Sequence, residues 1–205
     1  MVAVTEFEAL SPAPAGRSVD DYRAVLARFS AGECSAATWA AFRAAVGVHR
    51  EGADDRGTVR VDIPGGISSV AAARRLAGLA TAHAAGRLFL TPEDGVHLRA
   101  VALEATPKVL EALEALPPPA AAAAEPARDG RMVVTVRPPP PRGFFTSAQL
   151  ERLAEIAAEF AFGGLGTTAD GRLVLAGIDP TLVTAVIAEA QAAGLKAEQA
   201  SRVGG

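Results

Sequence analysis

Few residues in this chain are of a type and spacing that do chemistry. One cysteine, Cys34, occurs in 205 residues. An iron–sulfur cluster normally draws on four thiolates, a structural zinc on several Cys or His, and a disulfide on two thiols, so this chain cannot supply a cluster or a disulfide by itself. In Ala31-Gly32-Glu33-Cys34-Ser35 the thiol stands at a turn before a helix and reads as a small buried apolar group, not a nucleophile. His49 and His83 have no Cys or His at ligand spacing, and His83 ends a helix pattern, where a cation suits the dipole. Arg60 points to the wet face of a strand pattern, where it meets either an anion or a carboxylate on the next strand. Alternation puts His97 and Arg99 on one face with Gly95, and Val96 and Leu98 on the other, so His97 reads as a surface histidine. Glu93 and Asp94 are neighbours along a turn, an arrangement that seldom converges on one substrate. The run Gly163-Gly164-Leu165-Gly166 lacks the Lys-Ser/Thr ending of a phosphate loop and leads into a strand. No catalytic residue and no metal ligand is assigned.

The elements that must position these residues form a repeat. Copy one runs from Val59 to about Leu116 and copy two from about Met132 to Leu195. Leu76 to Ala80 matches Leu153 to Ala157, and Thr91 to Gly95 is aligned with Thr167 to Gly171, at offsets of 77 and 76 that call for one small gap. Each copy reads as strand, helix, hairpin, helix. Val59, Val61 and Ile63 alternate with polar residues before Pro64-Gly65-Gly66, and Met132 to Arg137 precedes Pro138 to Pro141, read as a stiff loop more than as a ligand for another protein. Val70, Ala73, Leu76, Ala77 and Ala80 form one apolar stripe after Ser68-Ser69. Leu150, Leu153, Ala157 and Phe160 form the other after Thr146, with Gln149 placed for a capping box. Asp94-Gly95 and Asp170-Gly171 between extended runs predict tight turns. Final helices are predicted over Thr106–Leu116 and Pro180–Ala193.

The segments are an extended or disordered N-terminus (1–18), a helical arm (19–57) with helices over Asp20–Phe29 and Ser35–Ala45, half domain one (58–116), a Pro/Ala linker (117–130), half domain two (131–197) and a tail (198–205). The fold class is α+β. Two half domains leave sheet edges unpaired, so they are expected to pair about a pseudo-twofold axis as one domain, with the arm across them. Composition agrees with a globular chain: 50% hydrophobic, 21% charged, with 20 Lys+Arg against 23 Asp+Glu. A net charge of −3 gives no field to gather phosphates, so nucleic acid is not an expected partner. The N-terminus lacks the pattern of a secretory signal and no stretch reaches the roughly 18 apolar residues of a membrane span. A soluble cytoplasmic protein is expected.

Asp20 to Val46, with Gly32-Glu33, Phe42-Arg43 and Gly47-Val48, resembles the N-terminal arm of ferredoxin-type sulfite and nitrite reductases. Arg60 to Gly66 resembles the strand and Pro-Gly-Gly turn that open that family's first ferredoxin-like half domain. Leu90-Thr91 through Leu98-Arg99 resembles its hairpin, shared with precorrin-3B synthase, and copy two resembles the second half domain. The resemblance implies that Arg60 approaches the substrate anion and siroheme and that Thr91 is the hairpin threonine. It also implies departures: Pro92 for a family Asn or Thr, Glu93 for its second arginine, Asp94 for the following Gln, and His97 for a later Gln. A carboxylate in place of a guanidinium turns a charge-assisted pair with a tetrapyrrole carboxylate into a repulsion. The larger domains that carry the four cluster cysteines and bridge to siroheme iron have no counterpart here.

Two functions follow. The favoured expectation is an accessory or interaction module with no cofactor of its own and no iron–sulfur cluster, docked on a metal-bearing reductase subunit or self-associated. The alternative is the tetrapyrrole-binding part of a split reductase or precorrin-3B synthase-like enzyme, with Arg60, Thr91, His97 and Arg99 lining one side of a siroheme or precorrin pocket. In neither is the chain a complete reductase by itself, because no side chain can hold six electrons.

Overall fold

A computed structural model of the chain describes residues 18–50, 56–62, 67, 69–91, 95–116, 131–140, 143–161, 164–168 and 170–200. Expectations for the N-terminus, Pro64 to Gly66, Pro92 to Asp94, the Pro/Ala linker, Pro141 and Gly163 lie outside these residues. The described chain divides into two compact units, one from residues 1–60 and 99–115, the other from 61–98 and 116–205. The division does not fall between the copies: the second unit holds the helix and hairpin of copy one together with copy two.

In the first unit, α1 (Val19–Ser30) opens with a capping box. The Asp21 N–H donates to Ser18 Oγ at 3.2 Å and the Ser18 N–H returns to the Asp21 carboxylate at 2.9 Å. The break at Gly32, at φ +75°, leads to α2 (Ala36–Ala45), capped by Ser35. Tyr22 and Trp39 meet edge to face at 5.3 Å, Phe42 lies against both, and the buried Arg43 guanidinium stacks over Trp39 at 5.2 Å. Burial raises the Tyr22 pKa above its ordinary value of 10.0. After a short 3-10 turn comes α4 (Thr106–Glu114), which lies against α1 with Arg23 bonded to Glu111. A strand the periodicity did not predict, β1 (Val48–Arg50), pairs antiparallel with β2 (Arg56–Asp62), Val48 opposite Val59. Gly47 makes this possible. It lies at φ +75°, and a Cβ there would stand 2.7 Å from the Arg60 carbonyl oxygen.

The second unit shows the duplication most directly. Its helices α3 (Val70–His83) and α5 (Ser147–Phe160) have 14 residues each and pack on one another. Ser69 caps the first, Thr146 and Gln149 form the predicted capping box on the second, and both helices end at an Ala cap, Ala84 and Ala161. The buried stripe of α3 is Ala72, Ala73, Leu76, Ala77 and Ala80; that of α5 is Leu150, Leu153, Ala154, Ile156 and Ala157, with Val70 and Phe160 only half-buried.

The hairpins follow: β3 (Arg87–Thr91) with β4 (Gly95–Ala102), and β7 (Leu165–Thr167) with β8 (Leu173–Ile178). Leu88 faces Leu98 in one and Leu165 faces Leu175 in the other, an offset of 77 on both strands. Two sheets result, in the orders β1-β2-β4-β3-β6 and β7-β8-β5-β9, where β5 is Met132–Arg137, β6 Phe145–Thr146 and β9 Lys196–Gln199. The order β2-β4-β3 in the first matches β5-β8-β7 in the second. The final helix is a 3-10 turn at Pro180–Leu182 running into α6 (Val183–Ala192).

The copies exchange the segments ahead of their helices. Phe145 and Thr146, which lead into α5, pair with Leu88 and Arg87 of the first hairpin. Reciprocally, the Ile67 N–H ahead of α3 donates to Thr167 Oγ1 of the second hairpin at 2.8 Å. The first hairpin thus gains an edge strand from the other copy, whereas the second is tied to the other copy through a side-chain hydroxyl and keeps β7 at the edge of its sheet.

One repeat position carries strain. Gly177 in β8 lies at φ +81° where the β5–β8 register slips between Met132 and Val133, a β-bulge, and its counterpart in β4 is Ala100 at φ +59°. An L-residue in this region costs about 1–2 kcal/mol. A Cβ on Gly177 would meet only the Ala161 oxygen at 3.5 Å, so conformation and not collision sets the penalty. Gly177→Ala is expected to lower the melting temperature by several degrees and Ala100→Gly to raise it, both read by calorimetry on the full chain.

Candidate functional site

The hairpin motif singled out in the sequence is β3–β4. Leu88, Val96 and Leu98 turn to the core, each at most 1% exposed. On the opposite face Phe89 stands across from His97, and Thr91 across from Gly95. Thr91 and His97 therefore share one face of one hairpin. Thr91 Oγ1 is buried and has no hydrogen-bond partner among the described residues. His97 departs from its expected place at the surface: the residue is half-buried and its Nε2 has no contact with solvent.

Arg60 and Arg99 belong to the other compact unit, and both are exposed there. The backbone of Arg60 is held where β1 meets β2, its N–H donating to the Gly47 carbonyl at 2.8 Å. Glu93 and Asp94, the charge reversal of the motif, lie outside the described residues. Cys34 is 8% exposed, and its Sγ lies 3.6 Å from the Ser35 carbonyl oxygen ahead of α2. His83 stands in the last turn of α3, as the helix pattern predicted. Among the described residues no group of three or more His, Cys, Asp or Glu is placed to hold a metal ion. No described helix is long and apolar enough to cross a membrane.

Periodicity did not single out the aromatic residues beside this face. Phe89 and Phe144 meet at 5.4 Å between centroids, and the Arg87 guanidinium lies 5.5 Å from the Phe144 ring centre. The pair Gly143-Phe144 just ahead of the Phe145–Thr146 strand was the available signal, but only the exchange between copies brings it to β3.

The second hairpin corrects the alignment of the turns. The Thr168 N–H donates to the Arg172 carbonyl at 2.8 Å, the step that corresponds to Thr91 opposite Gly95. The counterpart of Thr91 is therefore Thr168, the offset stays at 77, and no gap is needed. Gly95 is a paired strand residue, whereas Gly171 is a turn residue at φ +76°, so the two Asp-Gly pairs are not equivalent. In the second turn Thr168 Oγ1 donates to Asp170, Arg172 Nε donates to Asp170 Oδ2 at 2.6 Å, and the Arg172 N–H donates to Thr168 Oγ1 at 3.0 Å. The hydroxyl left unpartnered in the first hairpin is thus satisfied by a carboxylate in the second.

That network, led by the Arg172 guanidinium and then the Thr168 hydroxyl, lowers the Asp170 pKa from 3.8 to about 2. A depressed carboxyl adds stability above its ordinary pKa and loses it as pH falls through the folded value. Asp170 is about half exposed, so the effect is small in size. Wild type is expected to melt above Asp170→Asn at pH 5 to 7, with the gap closing between about pH 4 and pH 2, as followed by circular dichroism.

Comparison with known proteins agrees with the repeat and with the hairpin. No curated protein and no solved structure matches the chain. The family model for the nitrite/sulfite reductase ferredoxin-like half domain matches twice, over residues 49–116 and 125–193, about two-thirds of the sequence. Both matched segments contain the strand, helix, hairpin and helix described above, in the same order, so the chain belongs to the nitrite/sulfite reductase ferredoxin-like half-domain family and carries that unit twice.

Proposed function

We propose that this chain is an accessory or interaction module of the nitrite/sulfite reductase type that carries no electron-holding centre of its own and works in the cytoplasm beside a metal-bearing subunit. The observation that supports this reading is the state of its one thiol. A cluster needs several thiolates converging on iron, and Cys34 is single, buried and turned toward a backbone carbonyl at the start of a helix. The family's six-electron chemistry would then draw on cysteines that lie outside these 205 residues.

A second reading rests on Thr91. A buried hydroxyl without a partner costs about 1–3 kcal/mol, and an acceptor oxygen brought by a ligand would recover it. The family implies siroheme, whose carboxylates are such acceptors. Thr91 and His97 would meet the ring edge from the hairpin face. When bound, siroheme would supply the iron and conjugated ring for electron transfer. The fit is partial: on the hairpin face itself the described groups are one hydroxyl, one imidazole and the Phe89 ring.

Two measurements on the purified full chain separate these readings. Reconstitution with iron and sulfide is expected to give no visible absorption and no stoichiometric iron; a bound cluster would overturn the first reading. Titration with siroheme is expected to leave the spectrum and melting temperature unchanged. Tight binding that Thr91→Val weakens about tenfold would establish the second reading in its place.

A further inference from the structure

The outer end of the second sheet gathers positive charge in a row. Arg137 closes β5 and stands directly opposite Lys196, which opens β9. Arg172 precedes Leu173, the partner of Val136, and so continues the same row on the other side of β5. Its guanidinium reaches over β5 toward β9, with NH1 3.6 Å from Glu198. Three cations thus occupy neighbouring positions on three adjacent strands.

Their compensation is uneven. Asp170 and Glu198 are both turned to Arg172. Arg137 and Lys196 form no ion pair with a described residue, and both are exposed. Like charges directly opposite on paired strands oppose the pairing. Here they do so in the β5–β9 ladder, where β9 is the edge strand among the described residues. A bound anion would remove that repulsion, with the guanidinium offering a planar fork and the ammonium a rotatable point charge.

The geometry points to an oxyanion site at Arg137 and Lys196, flanked by Arg172, that takes a small carboxylate- or phosphate-bearing molecule. It is independent of the reading above, since neither Cys34 nor Thr91 enters it. Arg137 is the repeat counterpart of Arg60, but the two surroundings differ: Lys196 stands beside Arg137, whereas Gly47 stands beside Arg60.

The test is calorimetric titration of the full chain with citrate and, separately, with inorganic phosphate at constant ionic strength. Saturable binding of at least one is expected, weakened about tenfold by Arg137→Gln and by Lys196→Gln and unchanged by Arg60→Gln. The two titrations distinguish a carboxylate from a phosphate ligand. Lys196→Glu gives an independent reading without ligand: the repulsive pair becomes attractive, so the melting temperature should rise while anion binding is lost. No saturable binding of either anion, or affinities equal in wild type and in the Arg137 and Lys196 variants, would overturn the proposal.

Discussion

A three-stranded half-sheet with helices on one face cannot satisfy its own edge, and the second compact unit is built around the way this chain meets that constraint. The strand ahead of α5 completes the first hairpin, and the backbone ahead of α3 bonds to the second. Because each of these segments leads directly into a helix, the exchange also brings α3 and α5 together, and their small buried residues allow close approach. Ala73, Ala77 and Ala80 on one helix and Ala154 and Ala157 on the other are fully buried. At the first hairpin, edge pairing and helix packing are therefore coupled, because the strand that completes the sheet leads straight into α5.

The duplication has kept its buried positions and changed its turns. Leu88, Leu98, Leu165 and Leu175 occupy equivalent places and all are fully buried, since volume at these sites is set by neighbours from both copies. At the exposed hairpin ends packing sets no such limit. There the second copy has acquired a closed network of Thr168, Asp170 and Arg172, while the first keeps a threonine whose hydroxyl has no described partner. The same freedom placed Arg137 across from Lys196 on one outer strand pair and Arg60 beside Gly47 on another. Function in a half-domain scaffold is carried at such positions, because the fold tolerates their divergence.

Membership of the nitrite/sulfite reductase half-domain family accounts for the repeated strand, helix, hairpin, helix architecture. The residues this chain brings to its described surface and turns include a hairpin face with a hydroxyl, an imidazole and a phenyl ring, with a second phenyl ring beside it, exposed arginines, and a buried thiol at a helix start. A thiol at 8% exposure packs as a small apolar group.

Much of this was legible in the sequence because the signals are local. Period-two and helical patterns, the Ser and Thr caps and the capping box at Thr146 are decided by residues within a few positions of one another, and the repeat itself is visible from Leu76 to Ala80 against Leu153 to Ala157. The cysteine inventory is likewise a property of composition. Tertiary structure alone decided what depends on distant partners. It set β1 on β2, paired Phe145 with Leu88, withdrew His97 from the surface and matched Thr91 to Thr168 through hydrogen-bond register instead of the similarity of two Asp-Gly pairs. It also aligned Arg137 with Lys196, residues 59 apart in the chain. Register is fixed by which backbone groups find partners across strands, and no local pattern carries that information.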